Sequence, residues 1–440
     1  MTKGVLMICY YYPPFVTAGT ERSAKFAKYL PLSGYVPHIL TTTIGGAGTN
    51  DSQNSVHRAT ELLAVHRRVT KRVSRSNTHL SNSRAGDANE ARVLRRIKSF
   101  LLEWMVIPDA QIGWFPSAVR LGRRMLRHND LDLIYSSSPP ETSHLIACCL
   151  SHLTGRPLVA DFRDGWAFES LKTSVRTNRY RRSIEGALEK TVVRSSDAII
   201  TASPPITEYF RHRYGLPPTR AVTITNGYDP EDYVDMAATE PPSFTITHTG
   251  TFSKSRSTTS PYWFFQAIHE LLQEHQGLKQ ELHITLVGNL NHDEKRWISD
   301  FRLQSVVHCV GQVSREESLR YQLTSTVLLL VTSPADRSTV TSKLFEYLAA
   351  RKPILALAQG TAAAEILSAV HTGSIVSPTD VEAIKRAIIA LYAQWEGGEL
   401  GVHIDPAKLQ QFDRRELTRQ LAEVFDRVLA RDESTPRRSG

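Results

Sequence analysis

Short apolar segments alternate along this chain with amphipathic helical stretches, and this alternation restricts the possible folds more than any other feature. Each segment has the length and composition of a strand buried in a parallel sheet. Strands that alternate with helices form parallel sheets through right-handed crossovers, so two successive sets predict two doubly wound, Rossmann-like α/β domains. The twelve segments span residues 5–11, 36–42, 131–137, 157–162, 198–202, 222–225, 244–248, 282–287, 306–310, 327–331, 354–358 and 373–376.

Length and composition agree with more than one globular domain. At 440 residues the chain exceeds what one hydrophobic core organises, and 41% hydrophobic with 22% charged residues is typical of a globular protein. The formal net charge of +9 favours binding to anionic partners, such as nucleotide phosphates, lipid headgroups or nucleic acid. Nucleic acid is the weakest of these, because the basic residues do not interleave with aromatic ones.

The four cysteines lack metal-ligand spacing, which indicates thiols in a reducing compartment and no structural zinc. The first residues lack the features of a secretory signal, and no apolar run reaches the roughly 20 residues of a membrane span. We therefore predict a cytoplasmic protein.

Turn-rich residues 226–242 separate the two sets of segments. We place an N-terminal domain at residues 1–230 and a C-terminal domain at residues 240–415. Residues 44–89 are rich in Gly, Ser, Thr, Asn and Arg, which predicts a flexible insertion. Helical periodicity predicts a C-terminal helix at residues 416–430, and the charged residues 431–440 predict a disordered tail.

Residues 91–106 have the pattern of a basic amphipathic helix, with apolar residues on one side and arginines on the other. Such a helix could lie on an anionic membrane surface, which would make the protein peripheral on the inner face of the plasma membrane. Packing on its own domain is the more usual outcome.

The most informative local motif follows the apolar segment 327–331. A helix is predicted to start at Ser342, with Lys343 and Glu346 on one flank and Leu344 facing the sheet. Because ligands of open α/β sheets bind where strands end, this cation and carboxylate could hold a nucleotide's phosphates and ribose hydroxyls. We assign Ser342 and Leu344 to the same nucleotide site. The alternative is an ordinary solvated ion pair between Lys343 and Glu346.

A polar loop follows the apolar segment 244–248. It combines Gly250 and Thr251 with two cations, Lys254 and Arg256, and suits a diphosphate that gains charge as it leaves. A solvated loop is the alternative. Gly288 lies in a further turn at a strand end, where backbone groups could contact a base or simply form the turn.

Polar residues also follow the strands of the first half. Gly19 precedes a helix, where a glycine lets a substrate approach the backbone or makes a tight turn. His144 opens a helix after a strand and is either catalytic or structural. Asp161 and Asp164 flank an arginine at another strand end, where they either grip a polar substrate or form internal ion pairs.

Together these motifs resemble glycosyltransferase family 4, which has the GT-B fold of two Rossmann-like domains facing each other across a cleft. The resemblance is strongest in the sequences Asp-Phe-Arg-Asp-Gly-Trp and Lys-Leu-Phe-Glu-Tyr-Leu-Ala, which are similar to those of bacterial enzymes of surface polysaccharide or O-antigen synthesis. It implies retaining transfer of a sugar from a nucleotide-diphosphate donor to a glycan or lipid-linked acceptor, with no metal or other cofactor. In this pattern the N-terminal domain binds the acceptor.

The family pattern also assigns roles to individual positions. Glu346 matches the second glutamate of the Glu-x7-Glu motif, which binds the donor ribose, while Ser338 stands where the first glutamate would fall. Asp336 is near enough to replace it. Lys254 or Arg256 takes the basic role on the diphosphate.

The resemblance places Gly19 in the acceptor-side glycine loop, and His144 where a histidine often faces the donor sugar. The sequence leaves two other classes of protein possible: a GT-B nucleotide-sugar epimerase and a non-catalytic glycosyltransferase-like scaffold.

Overall fold

The computed structural model describes residues 2–15, 18–44, 46, 55–61, 106–169, 175, 178–236, 239, 241–252, 260–333, 335, 337–402 and 404–434. The chain forms two compact units. Unit 1 comprises Met1–Ala202, Ile206–Ile224 and Thr418–Gly440, and unit 2 comprises Ser203–Pro205 and Thr225–Leu417. None of the described helices combines the length and apolar character that a membrane crossing requires.

Unit 1 contains a seven-stranded parallel sheet in the order β3-β2-β1-β4-β5-β6-β7. Crossovers change direction between β1 and β4, which is where open α/β sheets bind ligands. The strands are β1 (Lys3–Ile8), β2 (Tyr35–Thr42), β3 (Ser55–Ala59), β4 (Leu133–Ser138), β5 (Leu158–Phe162), β6 (Ala198–Thr201) and β7 (Ala221–Thr223). The helices are α1 (Ala18–Tyr29), α2 (Phe115–His128), α3 (Thr142–Thr154), α4 (Arg179–Ser195) and α5 (Pro204–Tyr214).

Unit 2 repeats this plan with a six-stranded parallel sheet in the order β10-β9-β8-β11-β12-β13. Its strands are β8 (Phe244–Thr249), β9 (Leu282–Val287), β10 (Val307–Gly311), β11 (Val327–Val331), β12 (Ile354–Leu357) and β13 (Ser374–Val376). Its helices are α6 (Tyr262–Glu274), α7 (Leu278–Glu281), α8 (His292–Asp300), α9 (Arg315–Leu323), α10 (Ser342–Ala350), α11 (Ala362–Ala369), α12 (Val381–Glu396) and α13 (Pro406–Gln410). Helix α14 (Arg414–Ser434) continues from unit 2 into unit 1.

The prediction of two doubly wound, Rossmann-like domains is confirmed, and each of the twelve predicted strands is present. Strand β11 shows why its sequence is apolar throughout. Leu329 packs into one buried cluster of unit 2, while its neighbours Leu328 and Leu330 pack into another cluster. A strand covered on both faces favours apolar side chains along its whole length.

A thirteenth strand corrects the predicted flexible insertion at residues 44–89. Strand β3 lies within it and pairs in parallel with β2 along five residues. Its sequence, Ser-Val-His-Arg-Ala, lacks an apolar run because it is an edge strand whose side chains are mostly only partly covered. The rest of residues 47–89, and residues 91–105 of the predicted basic helix, lie outside the described residues.

The sequence suggested that the C-terminal helix is a separate element. In the structure this helix instead completes unit 1 from Thr418 onward. Phe425 packs edge-on against Tyr35, with 5.2 Å between ring centroids, and Asp426 accepts hydrogen bonds from Lys3 and from Tyr35.

The predicted start of disorder at Arg431 is also wrong, because α14 continues to Ser434. Arg431 donates to the Thr219 hydroxyl at 3.3 Å, and residues 431–434 contain no glycine or proline to end the helix.

A buried ion pair fastens α1 to the centre of the unit 1 sheet. The guanidinium of Arg22 donates to both carboxylate oxygens of Asp161, at 2.9 Å each, and to the backbone oxygen of Ile224 at 2.8 Å. Asp161 also accepts from the hydroxyls of Tyr135 and Ser137. Both charged side chains are fully buried.

Of the two roles predicted for Asp161, the structure agrees with the internal ion pair and corrects its place on the acceptor side of the site. Its carboxylate faces protein groups on every side, so it acts as an internal ion-pair partner. Burial alone would raise the pKa of Asp161, but the Arg22 guanidinium, together with the Tyr135 hydroxyl and the Arg163 cation, outweighs burial and holds the pKa below its ordinary value. Asp161 therefore stays ionised inside the sheet.

We expect the substitution Arg22→Met to destabilise unit 1 by about 3–5 kcal/mol, because it leaves the Asp161 charge buried without its partner. The double variant Arg22→Met/Asp161→Asn should be more stable than the single variant, since a neutral amide needs no counter-charge. Urea unfolding, with hydrogen exchange of the β1 and β5 peptides, measures both effects.

The matched control is Glu208→Ala, which removes an exposed partner of Arg211 and should cost less than about 1 kcal/mol. Equal stability of Arg22→Met and wild type would contradict the central role of this ion pair.

Candidate functional site

The carboxyl ends of β8 and β11 bring together most of the polar residues predicted in unit 2. Helix α10 begins at Ser342 in the connection that follows β11. From its first turn, Lys343 donates to the backbone oxygen of Thr251 at 2.9 Å and lies 3.2 Å from the Nε2 atom of His248. Its side chain crosses Gly250, where an added Cβ would lie 2.7 Å from the Lys343 Cε atom. Gly250 is therefore required for the lysine to reach the strand end.

His248 is a site residue that the sequence motifs did not single out. It is buried at the end of β8, stacked on Phe252 at 3.9 Å between ring centroids. Burial, together with the adjoining Lys343 cation, lowers the pKa of His248 well below its ordinary value. The neutral ring can donate from Nδ1 to the Leu329 carbonyl, 2.9 Å away, which leaves Nε2 as an acceptor for Lys343. The histidine thus holds the lysine without adding charge.

Glu346, one turn further along α10, is held by two neighbours from α9. Arg315 donates to its Oε1 atom at 2.9 Å, and Gln322 donates to its Oε2 atom at 3.1 Å. Arg315 also donates to Asp232 at 2.9 Å, so one guanidinium bridges two carboxylates. The Glu346 side chain is 13% exposed. Lys343 and Glu346 bind different groups, which fixes each in its own position.

A second set of contacts ties the end of β8, and with it the loop at Gly250, to α10. The amide of Thr249 donates to the Tyr347 hydroxyl at 3.0 Å, and Gln322 donates to the Thr249 hydroxyl at 3.1 Å. Gln322 is fully buried and contacts both Thr249 and Glu346. The turn at Gly288 packs directly on this loop, since an added Cβ there would lie 2.5 Å from the Gly250 carbonyl oxygen.

Leu344 requires a correction as a nucleotide-binding residue. Its side chain is fully buried in a hydrophobic cluster of unit 2, and its amide donates to the Thr341 carbonyl at 3.3 Å. Ser338, at the position of the family's first glutamate, is also buried. Lys254, Arg256 and Asp336 lie outside the described residues.

In unit 1 the predicted acceptor residues gather around Arg163, which follows β5. Arg163 donates to the backbone oxygens of Ser138 and Pro139. Its guanidinium lies so close to Gly19 that an added Cβ would come within 2.0 Å of the Nη1 atom. Gly19 therefore admits an arginine side chain, and Asp164 is partly buried in the adjacent turn.

His144 requires a correction as a catalytic residue, because no part of it is exposed. Its Nδ1 atom lies 2.7 Å from the Ser136 hydroxyl, and its ring packs on Phe162 at 4.3 Å between centroids. Its Nε2 atom is buried and has no hydrogen-bond partner among the described residues. Burial lowers the pKa of His144 to about 4, so the ring is neutral at physiological pH.

The sequence carried only weak signals for the remaining site residues. His248 could have been found, since it ends an apolar strand beside the predicted glycine loop. Arg315, Gln322 and Asp232 are far from Glu346 in sequence and belong to no motif. The site of unit 2 therefore combines a fixed lysine and a fixed, partly exposed carboxylate at one sheet edge.

Among the residues described here, no group of three or more His, Cys, Asp or Glu side chains could hold a metal ion.

We expect His144 to make unit 1 less stable in mild acid. The unfolded chain protonates this ring near its ordinary pKa of 6.5, but the folded chain does so only near 4. Stability is therefore lost as the pH falls from 6.5 towards 4, by up to about 3 kcal/mol. In urea unfolding across this range, His144→Asn should show a smaller pH dependence than wild type.

The matched control is His128→Asn at an exposed position of α2, which should keep the wild-type dependence. Identical pH dependence of wild type and His144→Asn would contradict the buried, neutral state of this ring.

Comparisons with known proteins agree with the two-unit plan. Residues 78–232 match Glycosyltransferase Family 4, and residues 243–394 match Glycosyl transferases group 1. A search of curated protein sequences finds no significant match.

Three solved structures illustrate the similarity of fold. Sucrose-phosphate synthase from Thermosynechococcus elongatus has a TM-score of 0.67 and 13% identity, over 98% of this chain and 100% of that one. Anabaena HepE in complex with UDP has a TM-score of 0.57 and 14% identity, over 97% and 100%. WaaG, a glycosyltransferase involved in lipopolysaccharide biosynthesis, has a TM-score of 0.59 and 13% identity, over 96% and 99%.

At these identities the structural similarity shows the fold alone, whereas the two family matches identify the kind of enzyme. The chain belongs to the group 1 glycosyltransferases and has their GT-B fold.

Proposed function

We propose that this glycosyltransferase moves a sugar, with retention of configuration, from a nucleoside diphosphate to a hydroxyl of a glycan or lipid-linked acceptor. The observation that carries the proposal is the pair of fixed charges on α10. Lys343 is held at the end of β8 and Glu346 is held one turn away, which gives a cation and an anion at one sheet edge. A nucleoside diphosphate needs both, because it carries anionic phosphates and a neutral ribose that donates hydrogen bonds.

Glu346 is suited to bind the ribose hydroxyls. A carboxylate offers about four lone-pair positions, and the hydrogen bonds from Arg315 and Gln322 use two of them. Two neighbouring hydroxyls can donate to the remainder. Because Arg315 and Gln322 fix the carboxylate before the donor arrives, little ordering remains to be done on binding.

Lys343 is suited to the diphosphate. When the bond between the anomeric carbon and the diphosphate oxygen breaks, its electron pair stays on the oxygen and the negative charge grows. A lysine fixed by Thr251 and His248 can stabilise that charge without rearranging. We include Ser342 at the start of α10 and the loop cations Lys254 and Arg256 in this role.

The acceptor hydroxyl is proposed to attack from the face that the diphosphate leaves and to pass its proton to the departing phosphate oxygen. No protein nucleophile and no metal ion are needed, because lysine supplies the positive charge. The groups around Arg163, Gly19 and Asp164 at the strand ends of unit 1 are proposed to bind the acceptor.

The solved structures named above support the substrate classes. HepE was solved with UDP, which is the leaving group expected of a uridine diphosphate sugar, and WaaG takes part in lipopolysaccharide biosynthesis. We therefore place the enzyme in surface polysaccharide biosynthesis, on the cytoplasmic side of the membrane.

The proposal is tested with a panel of nucleotide sugars and lipid-linked acceptors, in which released nucleoside diphosphate is measured. We expect release with at least one donor and acceptor pair, unchanged by EDTA, and NMR should show the donor's anomeric configuration in the product. Donor alone is the control. Conversion of the sugar without an acceptor would indicate an epimerase instead, and no release with any pair would contradict the proposal.

Substitutions of the two fixed charges should affect different kinetic constants. Ribose contacts are the same in the ground and transition states, so Glu346→Gln should raise the donor KM about tenfold or more. Charge on the diphosphate grows only in the transition state, so Lys343→Met should lower kcat by about 100-fold. Steady-state kinetics with the active pair measures both.

The matched control is Glu316→Gln, at an exposed glutamate of α9, which should leave both constants unchanged. Wild-type kinetics of Glu346→Gln or of Lys343→Met would rule out the corresponding role.

A further inference from the structure

The outer face of α2 carries an unusual concentration of positive charge. Arg120, Arg123, Arg124 and Arg127 have the spacing i, i+3, i+4 and i+7, which places them on one side of the helix. All four are exposed, and α2 contains no aspartate or glutamate. We call these four residues the α2 arginine surface. The opposite side of the helix is buried in unit 1.

The α2 arginine surface is not neutralised by the part of the protein that the structure describes. None of its four arginines makes an ion pair or a side-chain hydrogen bond with a described residue. Exposed arginines elsewhere do so, as Arg320 pairs with Glu316 and Arg419 with Glu423. Like charges three or four residues apart each cost a helix roughly 0.2–0.5 kcal/mol. Such an arrangement lowers stability unless an anionic partner compensates it.

Apolar groups are exposed among these arginines. The arginines surround a concavity of about 380 Å³ that is also lined by Pro116, Val119 and Leu153. Leu153, near the end of α3, is 47% exposed. A surface that mixes arginines with exposed apolar side chains suits the boundary between lipid headgroups and acyl chains. A purely polar anion would gain nothing from the leucine.

Positive charge is also exposed on α4, in the row of helices to which α2 belongs. Helices α2, α3 and α4 lie side by side. On α4, Lys190 and Arg194 are exposed and line a second concavity, whereas Glu185 and Glu189 of the same helix are fully buried. Glu185 and Glu189 thus face the interior, where Glu185 pairs with the buried Arg181, whereas Lys190 and Arg194 face the solvent. The layer presents a broad positive surface, as an extended anionic partner requires.

We propose that the α2 arginine surface docks unit 1 on a membrane of anionic phospholipid. Guanidinium groups bind phosphate through paired N–H donors, and the concavity is large enough to receive headgroup phosphates. Nucleic acid fits less well, because no Phe, Tyr or Trp side chain is among the residues that line the concavity, and these are the usual platforms for bases. The inference does not depend on the proposed donor or reaction. It assigns a membrane-facing surface to described residues of unit 1.

The test is flotation of the full-length protein with vesicles, without donor or acceptor. We expect binding to vesicles of phosphatidylglycerol and phosphatidylcholine, little binding to phosphatidylcholine alone, and loss of binding at high salt. At about fivefold per arginine, the variant Arg123→Gln/Arg124→Gln/Arg127→Gln should bind about 100-fold more weakly. Leu153→Ser should weaken binding by a smaller factor.

The matched control removes the same charge from exposed positions of unit 2, in the variant Lys279→Gln/Arg296→Gln/Arg320→Gln. This variant should retain most of the binding, which separates a local surface from an effect of net charge. Equal weakening by both triple variants, equal binding to neutral vesicles, or binding to RNA but not to vesicles would each overturn the inference.

A second readout separates this inference from the proposed reaction. Transfer to a water-soluble acceptor should be the same for wild type and for the α2 variant, and the variant should melt at the wild-type temperature or above it, because it removes repulsion between like charges. Absence of transfer in both proteins would contradict the proposed function and leave the vesicle result to decide on the surface.

Discussion

Each sheet of this enzyme is covered by helices on both faces, and this constraint decides where polar chemistry can occur. Strands such as β11 contribute alternate residues to separate buried clusters, so their middle positions must be apolar. Polar groups are tolerated where strands end, or where a neighbour neutralises them. Lys343 and Glu346 illustrate the first case, and the Arg22 and Asp161 pair illustrates the second.

Much of the fold could be predicted because its main determinant is local. An apolar run of a few residues, repeated between amphipathic helices, is visible in any short window of sequence, and it specified each buried strand. Strand β3 was not predicted, because an edge strand needs no apolar run. The packing of α14 on unit 1 could not be predicted, because it depends on contacts between the two ends of the chain. These are the contacts of Phe425 with Tyr35 and of Asp426 with Lys3.

The candidate site was predictable to a smaller extent, and for the same physical reason. Lys343 and Glu346 occur in one local motif. Their partners His248, Arg315 and Gln322 come from other strands and helices, so only the fold brings them together. Burial also changed the interpretation of residues found by pattern. His144 and Asp161 occupy the expected strand ends, but both side chains are enclosed by the protein.

Electrostatics links the interior of unit 1 to its surface. Glu189 is buried among Tyr209, Tyr214 and the amide of Ala167, and burial raises its pKa. Carboxylates placed in this way are satisfied internally and are removed from the outer face of the helices. The arginines Arg120, Arg123, Arg124 and Arg127 of α2 make no ion pair with a described residue, and Lys190 and Arg194 of α4 face the solvent. A positive surface thus follows from where the acidic residues are buried as much as from the number of arginines, and net charge alone could not have located it.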